Sequence, residues 1–135
     1  MIRVYTDGAS RGNPGKAAAG FSIHSDEGKI LDEDSCYLGK ATNNQAEYRA
    51  LIMAMEKTLM RSKEAVFFSD SELMVNQLNG IYSVKNSDLK RLFLEAKKLE
   101  KNFKKIRYVH VRRENPGISR VVESFNDLLD VIMGR

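Results

Sequence analysis

The chain has 135 residues, 42% of them apolar and 30% charged, and its 22 basic and 18 acidic side chains leave a net charge of +4. That length and composition predict one globular domain over residues 1–135, with enough core to need no covalent staples. The lone cysteine, Cys36, can form no internal disulfide and offers no Cys-rich zinc pattern, which fits a reducing, cytoplasmic setting, and no apolar run approaches the length of a membrane span.

The opening Ile2-Arg3-Val4-Tyr5-Thr6-Asp7 alternates and is rich in β-branched residues, so it predicts a strand that stops at an aspartate. Residues 8–16, punctuated by Gly8, Gly12, Pro14 and Gly15, read as a loop. Residues 17–25 and 30–38 flank the turn signal Asp26-Glu27-Gly28-Lys29 and extend the first strand into an antiparallel meander. From Asn43 the period becomes helical through Ala46, Ala50, Leu51, Met53, Ala54, Leu59 and Met60, with Thr42 or Asn43 available as N-cap.

Ala65-Val66-Phe67-Phe68-Ser69-Asp70 is a short apolar strand of the kind buried on both faces, and it too ends at an aspartate. Residues 71–78 predict a short helix closed by Asn79-Gly80. Residues 88–103 predict a longer one with Leu89, Leu92, Phe93, Ala96 and Leu99 inward. Residues 106–111 form the fifth strand. The last helix opens with Asn115 and Pro116 and buries Val121, Val122, Phe125, Leu128, Leu129 and Ile132. The order implies an α/β fold with one mixed five-stranded sheet: the first three strands antiparallel, the fourth and fifth parallel to the first, and helices on its faces.

Charge is unevenly spread. Residues 85–107 hold nine Lys or Arg against three acids, a concentration that attracts a polyanion, although a solvated helix face accounts for the same run. Asp7 and Asp70 at strand ends, with Glu47 one turn into the helix that starts near Asn43, can meet at one edge of the sheet. Taken singly, each is an ordinary cap or surface carboxylate. Three carboxylates together repel unless a hard divalent cation such as Mg²⁺ or Mn²⁺ neutralises them.

These residues, in this order, resemble type 1 ribonuclease H, which cuts the RNA strand of RNA/DNA hybrids. The resemblance runs through Tyr5-Thr6-Asp7-Gly8-Ala9-Ser10 with Gly12-Asn13-Pro14-Gly15, then Thr42-Asn43-Asn44-Gln45-Ala46-Glu47, then Phe68-Ser69-Asp70-Ser71. Gln77-Leu78-Asn79-Gly80 and Val84-Lys85-Asn86 are similar to the branch without an inserted basic protrusion. The resemblance implies a ribonuclease H-like fold and a two-Mg²⁺ mechanism with Asp7, Glu47 and Asp70 as catalytic metal ligands. It also implies that Gly12 and Asn13 contact the RNA strand, that Asn43 and Asn44 read the minor groove, and that Thr42, helped by Lys85 and Asn86, grips a DNA phosphate. The implied partner is an RNA/DNA hybrid, with double-stranded RNA as a further ligand, engaged by a monomer. A turn role for Asn13 and a cap role for Thr42 stand beside these readings.

One position departs from the pattern. The family's fourth carboxylate falls where this chain has Ser119 in Arg113-Glu114-Asn115-Pro116-Gly117-Ile118-Ser119-Arg120, and a neutral hydroxyl cannot replace an anionic ligand. Glu123, one turn further along, is the candidate substitute, with Asp127 behind it. Gly117 in the first turn suggests a helix free to shift. No histidine precedes this helix, His24 and His110 lie in strands as structural residues, and Arg112 or Arg113 could act electrostatically. The expected activity is hybrid-specific endoribonuclease; the alternative is a weakened or silent hybrid-binding homologue. A nucleotide-phosphate site at Asp7, as in actin-like ATPases, demands at least twice this length.

Overall fold

The first strand does not stop at Asp7. In the structure, a computed structural model describing residues 1–134, β1 spans Ile2–Gly12 and turns at once into β2, Gly15–His24, so the expected loop over residues 8–16 is the tip of a long hairpin. Pairing continues from Arg3 opposite His24 to Gly12 opposite Gly15. The glycines that signal a loop serve here as small strand residues, letting helices approach the sheet closely. A Cβ on Gly8 would lie 2.3 Å from the Ala46 carbonyl oxygen. Ala17, Ala18 and Ala19 of β2 are fully buried.

The remaining elements are β3 (Ile30–Ala41), α1 (Asn43–Leu59), β4 (Glu64–Ser69), α2 (Glu72–Leu78), α3 (Ser87–Glu100), β5 (Lys105–His110) and α4 (Pro116–Ile132). The sheet order is β3-β2-β1-β4-β5, with β1, β2 and β3 antiparallel and β4 and β5 parallel to β1, as the sequence predicts. α1, α2 and α3 cover one face, where Val4, Phe21, Leu51, Met55, Phe67, Met74 and Leu89 form the larger core. α4 covers the other face over β1, β2 and β3, with Ile118, Val121, Phe125 and Leu129 packed against Tyr5 and Ala18.

Because α4 does not extend over β4 and β5, β4 is buried on one face and only half-buried on the other, at Val66 and Phe68, rather than enclosed on both. Parallel pairing between β1 and β4 ends at Tyr5 opposite Phe68. Asp7 therefore lies within β1 but beyond the end of β4, beside Asp70. The helices begin as their caps dictate: Thr42 and Gln45 form a reciprocal capping box on α1, and Asn86 and Asn115 cap α3 and α4.

Gly117 does not loosen α4. It seats the first turn of that helix on the ring of Tyr5, where a Cβ would come within 2.4 Å of a ring carbon. Tyr5 is itself held by the stacked Phe68, with ring centroids 4.9 Å apart. A helix-interior glycine normally gains about 0.5–1 kcal/mol on replacement by alanine. Here Gly117→Ala is expected to lose about 1–3 kcal/mol through overpacking, measured by urea unfolding. A gain in stability would contradict this packing.

Candidate active site

The chemistry-bearing side chains meet where the first turn of α1 crosses β1. Glu47, in that turn, reaches across the sheet edge because Gly8 presents no side chain to hold α1 away. The Gly8 amide donates to Asp7 Oδ1 at 2.9 Å and to Glu47 Oε1 at 2.8 Å, joining the two carboxylates through one N–H. Asp70 completes the group: one carboxylate oxygen from each of Asp7, Glu47 and Asp70 lies within 4.8 Å of the others.

Asp7 is 3% exposed and Glu47 9%. Burial, with the charge of Asp70 adding to it, pushes the Asp7 carboxyl up to about 6 against hydrogen bonding with the Glu47 side chain and the Gly8 amide, which hold it down. Burial followed by repulsion from Asp7 pushes Glu47 well above the ordinary carboxylate range. Among the described residues no Lys, Arg or His forms an ion pair with any of the three. Converging, desolvated carboxylates without a cationic partner are a donor set suited to a hard divalent cation, whose charge would replace the missing one.

Around this cluster, polar side chains fasten the hairpin tip to the helices. Asn43 Oδ1 accepts from the Ser10 amide at 2.7 Å, and Asn13 Oδ1 accepts from the Asn43 amide at 3.0 Å. Thr42 Oγ1 accepts from the Gln45 amide at 3.1 Å. Asn86 Oδ1 accepts from the amides of Asp88 and Leu89, both at 3.0 Å. A backbone N–H fixes which amide atom faces inward, so Asn13, Asn43 and Asn86 each keep an NH₂ to donate, and Thr42 keeps its hydroxyl hydrogen. Asn13, Thr42, Asn43, Asn44 and Asn86 line one shallow pocket, and Asn86 contributes while also capping α3.

Gly12 lies at the hairpin tip with φ of 102°. Lys85 is exposed and is not among the residues lining that pocket. Two residues absent from the sequence-based set bear on this region. Asp88 lines the same pocket, and Arg11 ties the hairpin to the far end of α4 through Asp130 at 2.6 Å. Neither had a local signal, since Asp88 reads as an ordinary first-turn acid and Arg11 finds its partner 119 positions away.

Ser119 is exposed, its hydroxyl turned back towards the Arg113 carbonyl oxygen at 3.4 Å, and it adds no charge. The structure does not bring Glu123 to the three-carboxylate cluster. Glu123 and Asp127 line a separate groove against β3, shared with Glu33 and Arg120. His110 ends β5 and is exposed, whereas His24 ends β2 with Nε2 2.7 Å from the Ser22 hydroxyl.

A family model described as reverse transcriptase-like matches residues 5–122. A bifunctional protein of Mycobacterium tuberculosis is 38% identical over 132 residues, covering 96% of this chain, and a ribonuclease HI of Halobacterium salinarum is 41% identical over 113 residues, covering 83%. The chain spans only 35% of the mycobacterial relative's length and 57% of the halobacterial one's. Among solved structures, LC11 ribonuclease H1 in complex with an RNA/DNA hybrid matches with a TM-score of 0.86 at 37% identity, covering 96% of this chain and 99% of that one.

The raised carboxyls set a sign for pH dependence. A carboxyl whose folded pKa exceeds its unfolded value favours the folded state when protonated, so its contribution fades as pH rises from about 4 to about 6. Chelator-treated protein should lose on the order of 1–3 kcal/mol relative to Asp7→Asn across that window, measured by urea unfolding at a series of pH values. Parallel profiles for the two proteins would contradict it.

Proposed function

The chain belongs to the ribonuclease HI family, and on that premise we propose that it is a metal-dependent endoribonuclease cutting the RNA strand of RNA/DNA hybrids. The observation that carries this reading is the convergence of Asp7, Glu47 and Asp70, none of them ion-paired to a Lys, Arg or His among the described residues. These three are the catalytic metal ligands of the proposal, with two Mg²⁺ ions as the resident pair and Mn²⁺ as an accepted replacement. Divalent cations bound there raise the acidity of a water and neutralise charge developing on the scissile phosphate and its leaving 3′ oxygen.

The chain's own groups recognise and hold the duplex. Their acceptor atoms are occupied internally, so Asn13, Asn43, Thr42 and Asn86 offer donors, which suits a ligand rich in acceptors. Phosphate oxygens, 2′-hydroxyl oxygens and minor-groove base edges are such acceptors, and A-form duplexes expose the last two in a wide, shallow groove. In this proposal Asn43 and Asn44 read the minor groove, and Gly12 and Asn13 follow the RNA strand near the cut. Thr42 and Asn86 hold a DNA phosphate, and Lys85 contributes attraction from the surface. Double-stranded RNA shares the 2′-hydroxyls and is a weaker ligand. The domain over residues 1–135 acts as a monomer in the cytoplasm.

Ser119 favours a second reading, a hybrid-binding protein with little turnover, because it leaves the metal pair one negative charge short. The assay that separates the two uses labelled hybrid. The purified protein is expected to cut it with Mg²⁺ or Mn²⁺ and not with chelator. Asp7→Asn is expected to lower kcat by about 10²–10³, and Ser119→Asp to raise it about tenfold or more. Binding without cleavage that Ser119→Asp converts to cleavage establishes the second reading. No cleavage by either form overturns the nuclease assignment.

A further inference from the structure

We propose that the open sheet face over β4 and β5 is a second nucleic-acid contact, taking a single-stranded tail that runs off the hybrid. The inference rests on the nuclease reading for the identity of the main ligand and otherwise on this face alone. α4 begins over Tyr5 and runs above β1, β2 and β3, leaving Val66, Phe68 and Val109 half-buried in a shallow depression flanked by Arg3 and Arg107. Neither arginine forms an ion pair among the described residues. Asp26, the acid at the rim, is already paired with the Met1 ammonium at 2.8 Å. The patch is therefore cationic around an apolar floor, which complements a polyanion with apolar base faces.

Its geometry favours unpaired bases. Tyr5 and Phe68 stack at 4.9 Å with planes 17° apart, and the Arg3 guanidinium lies over the Phe68 ring at 5.3 Å from its centroid. An exposed guanidinium thus sits against a half-buried aromatic ring at this face. A guanidinium accepts a base by stacking and a phosphate by paired hydrogen bonds. A duplex hides its base faces, whereas a single strand presents them. Tyr5 precedes Asp7 by two residues on the same face of β1, a separation of about 7 Å along the strand, and Phe68 lies two residues before Asp70, close to the end of β4. The stack therefore lies close enough to the carboxylates for a tail continuing from the cut site to reach it.

The test measures affinity by fluorescence anisotropy in chelator, so that no strand is cut, for a blunt hybrid and for the same hybrid carrying an oligouridine or an oligothymidine tail. Free oligonucleotides of both kinds are titrated alongside. The parent is compared with Arg3→Gln/Arg107→Gln, two exposed positions whose change should leave the melting temperature intact. A gain from either tail of about fivefold or more is expected, the low end for one stacked base. The salt slope of log K should be steeper by about 1.4 for two neutralised phosphates, and both effects should vanish in the double variant.

No gain from either tail, or a gain that survives in the double variant, overturns the proposal. If the blunt hybrid is not bound, the nuclease reading fails. The free oligonucleotides then decide the patch: binding lost in the double variant supports it, and no binding by the parent removes it.

Discussion

One amide organises the site. The Gly8 N–H is shared between the carboxylates of Asp7 and Glu47, and it can be shared only because the backbones of β1 and α1 come together at a residue without a Cβ. Close approach at Gly8 draws Glu47 over the sheet edge, and the early end of β4 leaves Asp70 beside the pair. Burial and mutual repulsion then raise Asp7 and Glu47 above ordinary carboxylates. A fold that only needed stability would place apolar groups here, since one N–H offsets little of the desolvation of two acids. The arrangement becomes favourable when a divalent cation is present, so the local instability and the chemistry have one origin.

The polar groups beside the cluster follow a second rule. Backbone amides occupy the acceptor oxygens of Asn13, Asn43, Thr42 and Asn86, so the same bonds that lock the hairpin tip to α1 and cap α1 and α3 also turn donors outward. Structural and binding roles are therefore not alternatives at these positions. The cap function of Thr42 and the turn function of Asn13 are what aim their remaining hydrogens. Arg11, anchored to Asp130, steadies the same hairpin from the α4 side.

The sequence exposed the carboxylate trio because each member lies next to a strand or helix whose period is strong: alternation before Asp7, an apolar run before Asp70, and helical spacing after Glu47. The hairpin through residues 8–16 was not legible, because local propensity treats Gly and Pro as breakers. Long-range pairing and tight helix packing instead made small strand residues the ones that fit. The same bias makes Gly117 look like a loose turn, when its contact is with Tyr5, over a hundred positions away in the chain. Glu123 shares a helical face with Ser119 in a wheel projection, but its neighbours in space are Arg120 and the β3 acids, which no spacing rule reveals. Partners distant in sequence, such as Arg11 with Asp130, leave no local mark.

The chemistry of the site depends on Asp7, Glu47 and Asp70 together holding a divalent cation. Calorimetric titration of chelator-treated protein with Mn²⁺ measures this directly, comparing the parent with Glu47→Gln near neutral pH. The account predicts saturable binding by the parent that Glu47→Gln abolishes or weakens by at least about tenfold. Equal binding by both proteins, or none by the parent, would contradict it.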